Sequence, residues 1–277
     1  MASFLVVPQW QGSASARAMR LVDGAEAICG DLPASATTRV EVPAEAGESQ
    51  DTGIRRFASL VVVAERMRDA LASMRGAVIT IGGDCGVEFA AIGHAASRAS
   101  GPVAVVWFDA HPDAHSPATS TSGAFTGMVL RAVTGDGVGA LAAVPSEAVA
   151  FSQVVIAGSR LPDPGEEEAV VAAGARILPP HELTAEALVE AVAATGAESV
   201  YIHVDLDVLE PADLAGLFDP VPFGVPAGHL VACIDALRAR FPLAGAGVTE
   251  FAPSTPAAAS DDLPTILRIL GALSRGA

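Results

Sequence analysis

The stretch VVWFDAHPDAHSPATS, residues 105–120, joins a buried strand to a row of titratable side chains. Its first four residues are apolar and β-prone, which predicts a strand inside a hydrophobic core. Asp and His then occupy every second position, and alternate residues of an extended chain point the same way. Buried charges of this kind are costly unless something pairs with them. The stretch therefore predicts a charged site at the edge of a core, formed by Asp109, His111, Asp113 and His115.

Short β-prone runs alternate with alanine-rich helical stretches along most of the chain. This alternation favours a parallel sheet covered by helices on both faces, in one α/β domain over residues 1–277. We predict strands at 4–7, 77–81, 103–108, 153–157, 176–178, 199–204 and 244–249. We predict helices near 54–74, 86–99, 184–195, 228–240 and 262–274, and irregular chain at 43–53 and 218–229.

Composition excludes several classes of function. The formal net charge of −16 argues against nucleic acid or an anionic membrane surface as partner. All 16 basic residues are arginine, which excludes a P-loop lysine or a Schiff base. The three cysteines are widely spaced and fit a reducing compartment better than a disulfide framework. The start MASFLVVPQW has no basic leader, and no apolar run approaches the roughly 18 residues of a membrane span. We therefore expect a cytoplasmic protein.

Four predicted strands end in acidic, His or Cys residues. They are VITIGGDCG (78–86), VVWFDAHPD (105–113), VYIHVDLDVLEP (200–211) and GAGVTEFAPS (245–254). In open parallel sheets, ligands bind outside the carboxyl ends of the strands. Four such endings in one chain therefore indicate a shared site.

These endings would bring together four carboxylates and the nitrogen ligand His111; the carboxylates are Asp109, Asp113, Asp205 and Asp207. The endings contain no arginine that could balance the negative charge, whereas two divalent cations would balance it. Oxygen-rich ligation with an imidazole suits manganese better than zinc. Two such metals would share a bridging water and lower its pKa, which gives hydroxide at neutral pH.

The segments GGDC (82–85), DAHPD (109–113), SGAFTG (122–127), DLDVLEP (205–211) and TEF (249–251) resemble, in order and spacing, the ureohydrolase family of arginases and agmatinases. The resemblance spans roughly residues 77–255. It implies a three-layer αβα domain with a mainly parallel sheet, and a dinuclear manganese centre that hydrolyses a guanidino group. It also implies a homo-oligomer, commonly a trimer or a hexamer.

Six residues match the metal ligands of this family: Cys85, Asp109, His111, Asp113, Asp205 and Asp207. The resemblance implies that Asp109 and Asp205 bridge the two metals. Cys85 and Asp113 would complete one site, and His111 and Asp207 the other. Glu250 matches the acidic residue that pairs with the substrate guanidinium, a charge-assisted contact. We assign Asp113 and Glu250 to catalysis.

The match can be narrowed to the arginases proper. Residues 109–127 resemble them without a gap, and His115 and Ser122 fall where arginases hold the α-carboxylate of the substrate. The run GSRLPDPGEEE (158–168) resembles the loop in which an aspartate, here Asp163, faces the α-amino group. The alternative for this run is a Pro-Gly turn before an acidic helix start. An arginine-like α-amino acid is favoured over agmatine, which has no carboxylate.

Several positions depart from the family pattern. Cys85 replaces a histidine, and a softer thiolate would admit zinc, cobalt or iron; alternatively, Cys85 is a small buried residue and one metal is weak or missing. Thr126 stands in place of the proton-shuttling histidine and cannot do that work near pH 7. Ala124 replaces a polar residue that helps to bind the α-carboxylate, and His115 replaces an asparagine, either as a positive charge or as a solvated loop residue. We interpret His203 as a packed residue behind the site or in the core.

These departures argue against a plain metabolic arginase. A less basic guanidino group depends less on a proton shuttle, because its neutral form is more available to attacking hydroxide. We therefore predict hydrolysis of Nω-hydroxy-L-arginine to hydroxyurea and L-ornithine, in specialised amino-acid or antibiotic biosynthesis. The alternatives are an arginase that makes urea and L-ornithine, a hydrolase of another guanidino or amidine acid, and an amino-acid-binding pseudoenzyme.

Overall fold

An eight-stranded parallel sheet forms the centre of the computed structural model, which describes residues 2–275. The strands, in spatial order β2-β1-β3-β8-β7-β4-β5-β6, all pair in parallel. Their bounds are β1 Ser3–Val7, β2 Thr37–Arg39, β3 Val78–Gly82, β4 Val103–Phe108, β5 Val154–Ala157, β6 Arg176–Leu178, β7 Ser199–Asp205 and β8 Leu243–Thr249.

Helices cover both faces of this sheet, as predicted. Two separate hydrophobic cores lie one on each face: α1, α6, α7 and α8 pack over the first, and α2 to α5 over the second. The helices are α1 Met19–Gly30, α2 Phe57–Ser73, α3 Glu88–Arg98, α4 Val129–Val133, α5 Glu166–Ala172, α6 Ala185–Ala193, α7 Ala227–Arg240 and α8 Ala259–Ser274. No helix within residues 2–275 is both long and apolar enough to cross a membrane.

Strand β4 shows why the sheet lies in the middle. All six of its residues are buried, and they alternate between the two cores, with Val106 in the first and Val105 in the second. A strand with apolar side chains on both faces must be covered on both. This pattern confirms the three-layer α/β/α architecture, with a sheet that is wholly rather than mainly parallel. The predicted single domain of residues 1–277 includes residues 1, 276 and 277, which lie outside the described residues.

The predicted strands agree with the observed ones to within one or two residues at each end. Three elements have no counterpart among the predictions: α1 and β2 near the N-terminus, and the five-residue helix α4. β2 has only three residues, none of them buried, and it is defined by its pairing with β1 rather than by its own apolar pattern. α1 has no side-chain N-cap and no acidic first turn, so the usual signals of a helix start are missing.

The four strand endings singled out in the sequence belong to β3, β8, β7 and β4, which are neighbours at the centre of the sheet. Their carboxyl ends therefore open onto one place. The chain also crosses the sheet within this group, because β4, which follows β3 in sequence, lies on the far side of β8 and β7. Open α/β sheets bind ligands at such switch points in the strand order. The fold alone thus places the site above the middle of the sheet.

The contact of α1 with the end of β8 predicts a specific effect on stability. A Cβ atom at Gly24 would lie 1.8 Å from the carbonyl oxygen of Phe251, which follows β8. We expect Gly24→Ala to lower the free energy of unfolding by about 1–3 kcal/mol in urea denaturation, because the backbone must shift. Gly30 ends the same helix in open space, so Gly30→Ala should be neutral or stabilise by up to about 1 kcal/mol. Equal losses in both variants would contradict this packing.

Candidate active site

The central strand ends surround a cavity of about 410 Å³. Nine of the ten predicted site residues line it: Cys85, His111, Asp113, His115, Ser122, Asp163, Asp205, Asp207 and Glu250. The tenth, Asp109, is fully buried directly behind His111, whose backbone N–H donates to Asp109 Oδ1 at 2.6 Å. The structure therefore brings all the predicted site residues together.

His111 stands between two carboxylates. Its Nδ1 lies 3.3 Å from Asp109 Oδ1 and 3.1 Å from Asp207 Oδ2. Burial opposes protonation of the imidazole, but hydrogen bonds to Asp109 and Asp207 outweigh it and raise the pKa of His111 far above its usual range. The three side chains offer ligand atoms within 4.8 Å of one another. One nitrogen and two carboxylate oxygens are donors that suit a divalent cation.

Cys85 lies on the other side of the site, just past the end of β3. Asp84 caps the turn that carries it and accepts hydrogen bonds from the N–H groups of Gly12 and Gly86, both at 2.8 Å. Cys85 Sγ lies 3.1 Å from Asp205 Oδ2. Burial, and then the charge of Asp205, raise the pKa of the Cys85 thiol well above its usual range. Cys85, Asp205 and Glu250 form a second group of candidate ligands.

Glu250 presents a buried oxygen to the cavity. Its Oε1 accepts a hydrogen bond from the Cys85 backbone N–H at 3.1 Å, while its Oε2 is buried and has no partner among the described residues. Burial, and then Asp84, raise the pKa of Glu250 well above its usual range. Glu250 (φ 66°) and Asp113 (φ 50°) have left-handed backbone conformations. Such conformations cost about 1–3 kcal/mol and cluster at functional sites.

The candidate substrate contacts form a group at the mouth of the cavity. His115 Nε2 lies 2.9 Å from Asp163 Oδ2, and the side chain of His115 is only 15% exposed against 60% for Asp163. Ser122 lies on the same wall, where its Oγ accepts a hydrogen bond from the Ala124 N–H at 3.1 Å. His115 is therefore a half-buried residue of the cavity wall within hydrogen-bond distance of Asp163, and not a solvated loop histidine.

Sequence reasoning missed Glu166, which anchors this group. Its Oε1 accepts from the Ala114 N–H at 3.0 Å and its Oε2 from the Asp163 N–H at 3.2 Å, and Oε2 lies 3.7 Å from His115 Nε2. The acidic run after Gly165 does begin a helix, α5, which confirms the predicted turn before an acidic helix start. The contact of Asp163 with an α-amino group stays a prediction. Nothing local distinguishes Glu166 from the next two glutamates, because only the tertiary fold buries it.

The cavity is also lined by residues to which the sequence assigned no role: Ser13, Thr121, Leu161, Phe218 and Asp219. Thr126 and Ala124 line the wall too, so these two departures from the family pattern face the same space as the candidate ligands. Seven carboxyl groups line the cavity, and no arginine is among the lining residues that the structure describes. The cavity therefore attracts cations strongly.

The charge of this cavity predicts a pH effect in metal-free protein. Burial, and then Asp109, raise the pKa of Asp207 to about 6. The folded protein then keeps a proton that the unfolded chain loses above about pH 4, so this group contributes stability that is lost as pH rises to about 6. With chelator present, Asp207→Asn should therefore stabilise the protein at pH 7 more than at pH 4.5, measured by urea denaturation. An equal effect at both pH values would contradict the shift.

Comparison with known proteins finds relatives across most of the chain. The Arginase family model matches residues 14–263. The Nω-hydroxy-L-arginine amidinohydrolase of Streptomyces lavendulae is 34% identical over 189 residues, which cover 66% of this chain and 62% of that protein. The arginase of Bacillus caldovelox is 28% identical over 207 residues, which cover 71% of this chain and 67% of that protein. The alignment thus spans less than two thirds of the Streptomyces lavendulae relative.

The fold is shared with solved arginase structures. The Entamoeba histolytica arginase, determined in complex with L-ornithine, superposes with a TM-score of 0.85 over 98% of this chain and 97% of its own, at 20% sequence identity. An identity this low shows a common fold and no more. The family model, in contrast, matches nearly the whole chain and includes every predicted site residue. The chain belongs to the arginase family.

Proposed function

We propose that this chain is a dinuclear-metal amidinohydrolase that cleaves the guanidino group of an arginine-like amino acid, with Nω-hydroxy-L-arginine as its preferred substrate. The observation that carries the proposal is the free, buried Oε2 of Glu250 inside an acidic cavity. A buried carboxylate oxygen without a partner is costly unless a cation meets it. A guanidinium group is planar and offers the N–H donors that pair with a carboxylate.

Groups of candidate ligands lie on two sides of the same cavity. His111, Asp109 and Asp207 form one group, and Cys85 and Asp205 belong to the other. Two bound divalent cations would supply a water of lowered pKa for attack on the guanidino carbon. Oxygen-rich ligation supports manganese for the group around His111. A cytoplasmic location and a trimeric or hexameric assembly stay predictions.

The residues at the mouth of the cavity are suited to the α-amino acid end of the substrate. The exposed carboxylate of Asp163 would accept hydrogen bonds from the α-ammonium group. His115 and Ser122 would donate to the α-carboxylate from the same wall. In the net reaction, water adds to the guanidino carbon, the bond from that carbon to the side-chain nitrogen breaks, and the released amine takes up a proton. The products are hydroxyurea and L-ornithine.

Thr126 supports the hydroxylated substrate over arginine. It lines the cavity where the resemblance implies a shuttling histidine, and its hydroxyl group does not act as a general acid or base near neutral pH. An N-hydroxyguanidino group is less basic than a guanidino group, so a larger fraction is neutral and needs no help in losing a proton. The named Streptomyces lavendulae relative supports the same choice, and the arginase relatives support the second candidate, hydrolysis of L-arginine to urea and L-ornithine.

Steady-state kinetics with both substrates test the proposal directly. After loading with manganese, we expect kcat/KM for Nω-hydroxy-L-arginine to exceed that for L-arginine at least about tenfold, scored as ornithine released. Thr126→His should narrow this ratio, because an added imidazole helps only the more basic substrate. A preference for L-arginine would support the arginase alternative. Release of ornithine from neither substrate would contradict the proposed function, as would undiminished activity in Asp109→Asn.

Asp163 provides a test of the substrate's α-amino group. We expect Asp163→Asn to lower kcat/KM for the amino acid substrate about 10- to 100-fold, which corresponds to loss of one charge-assisted contact. The same variant should leave kcat/KM for 5-guanidinopentanoate unchanged, because this compound has no α-amino group. Glu167→Gln is the matched control, because Glu167 lies in the same acidic run and does not line the cavity. A similar loss with both substrates would count against the assigned contact.

A further inference from the structure

A row of four positions crosses the sheet just below the candidate metal centre. In register across β3, β8, β7 and β4 lie Thr80, Gly247, His203 and Trp107. Register neighbours in a parallel sheet point to the same face, so these side chains share one side of the sheet. Gly247 has no side chain, and Glu88 at the start of α3 fills the vacant space: a Cβ at position 247 would lie 1.8 Å from Glu88 Oε1. The row therefore places a glutamate beside a histidine.

His203 is fully buried and held on three sides. Its ring stacks on the indole of Trp107, with centroids 3.6 Å apart and planes at 26°. On one side its Nδ1 lies 3.7 Å from Glu88 Oε2. On the other side its Nε2 lies 3.7 Å from Cys85 Sγ and 4.0 Å from Asp109 Oδ2. The imidazole therefore connects a buried carboxylate to two candidate metal ligands.

The polar atoms of this arrangement are poorly satisfied by the protein alone. Both carboxylate oxygens of Glu88 and the Nδ1 atom of His203 are buried without a hydrogen-bond partner among the described residues. Burial of such groups is costly unless a hydrogen bond or an opposite charge compensates them. A cation next to His203 Nε2 would polarise the ring and strengthen its attraction to Glu88. Metal-bound histidines usually donate their second N–H to a carboxylate in this way.

The distances between these candidate ligand atoms suit a single metal ion that all of them contact. Bonds of about 2.0–2.3 Å from one metal to nitrogen, oxygen and sulfur leave the ligand atoms roughly 3–4 Å apart. Cys85, Asp109 and His203 offer a sulfur, an oxygen and a nitrogen, all within 4.8 Å of one another. We propose that His203 is a metal ligand through Nε2, that Glu88 orients it, and that the imidazole absent from position 85 is supplied from position 203.

His203 is packed behind the site, as the sequence indicated, and the proposal gives this packed residue a role in binding as well. The proposal also makes the two metal sites chemically unequal. The site with Cys85 and His203 has soft and borderline ligands, which favour zinc or cobalt, while the site with His111 and Asp207 has harder ones. The inference rests on the proposed metal centre and is independent of which guanidino acid is hydrolysed.

Cobalt titration of the apo-protein tests the proposal without an activity assay. We expect the wild type to bind two Co²⁺ ions and to develop the near-ultraviolet thiolate-to-cobalt absorption of a cysteine ligand. In His203→Asn the ion with this absorption should bind at least about 100-fold more weakly, while the other ion is retained. His229→Asn is the matched control, because His229 lies on α7, its Nε2 bonds to the backbone carbonyl of Leu183, and it does not line the cavity.

Glu88→Gln separates ligation from packing, because it keeps the shape of the side chain. We expect it to weaken the same ion about 10- to 100-fold, and it decides the question if His203→Asn fails to fold. If Glu88→Gln and folded His203→Asn both keep the cobalt affinity and the absorption of the wild type, His203 is not a ligand. The proposed metal centre would then still stand. A wild type that binds no cobalt would instead overturn the proposed metal centre.

Discussion

Repulsion between buried carboxylates is the constraint on which this site depends. Asp109, Asp205, Asp207 and Glu250 all lie buried around the ends of the four central strands. Burial, and then Asp207, raise the pKa of Asp205 well above its usual range, which expresses the cost of placing these charges together. Within residues 2–275, His111 is shared between Asp109 and Asp207, and no basic side chain forms an ion pair with Asp205 or Glu250. Bound cations would relieve this repulsion.

The surrounding structure holds this costly arrangement in place. Asp205 and Asp109 accept hydrogen bonds from the N–H groups two residues further along, so each strand end turns tightly around its own carboxylate. Arg160 stabilises the turn after β7, because its guanidinium group donates hydrogen bonds to the carbonyl oxygens of Asp207 at 2.8 Å and Val221 at 2.7 Å. These backbone and arginine hydrogen bonds thus hold the carboxylates close together despite their repulsion.

The departure at Cys85 is accompanied by two buried polar side chains in the same place. Cys85, His203 and Glu88 form one connected group, and Gly247 leaves the room that Glu88 occupies. Such a group is more consistent with a rebuilt ligand set than with decay of an unused site, because decay would not place a histidine and a glutamate next to the altered ligand.

The sequence by itself determined the layered fold and most of the site. An apolar run such as Val103–Phe108 predicts a buried strand, and the alternation of Asp and His after residue 108 predicts that these side chains share one face. Both predictions succeed because each pattern lies within one short stretch of sequence. The tertiary structure alone decided where Glu166, Glu88 and His203 lie and which residues they contact. Each of these residues depends on partners far along the chain, as His203 does on Cys85 and Glu88. Burial and pairing across neighbouring strands are set by sheet order and register, which no short stretch of sequence encodes.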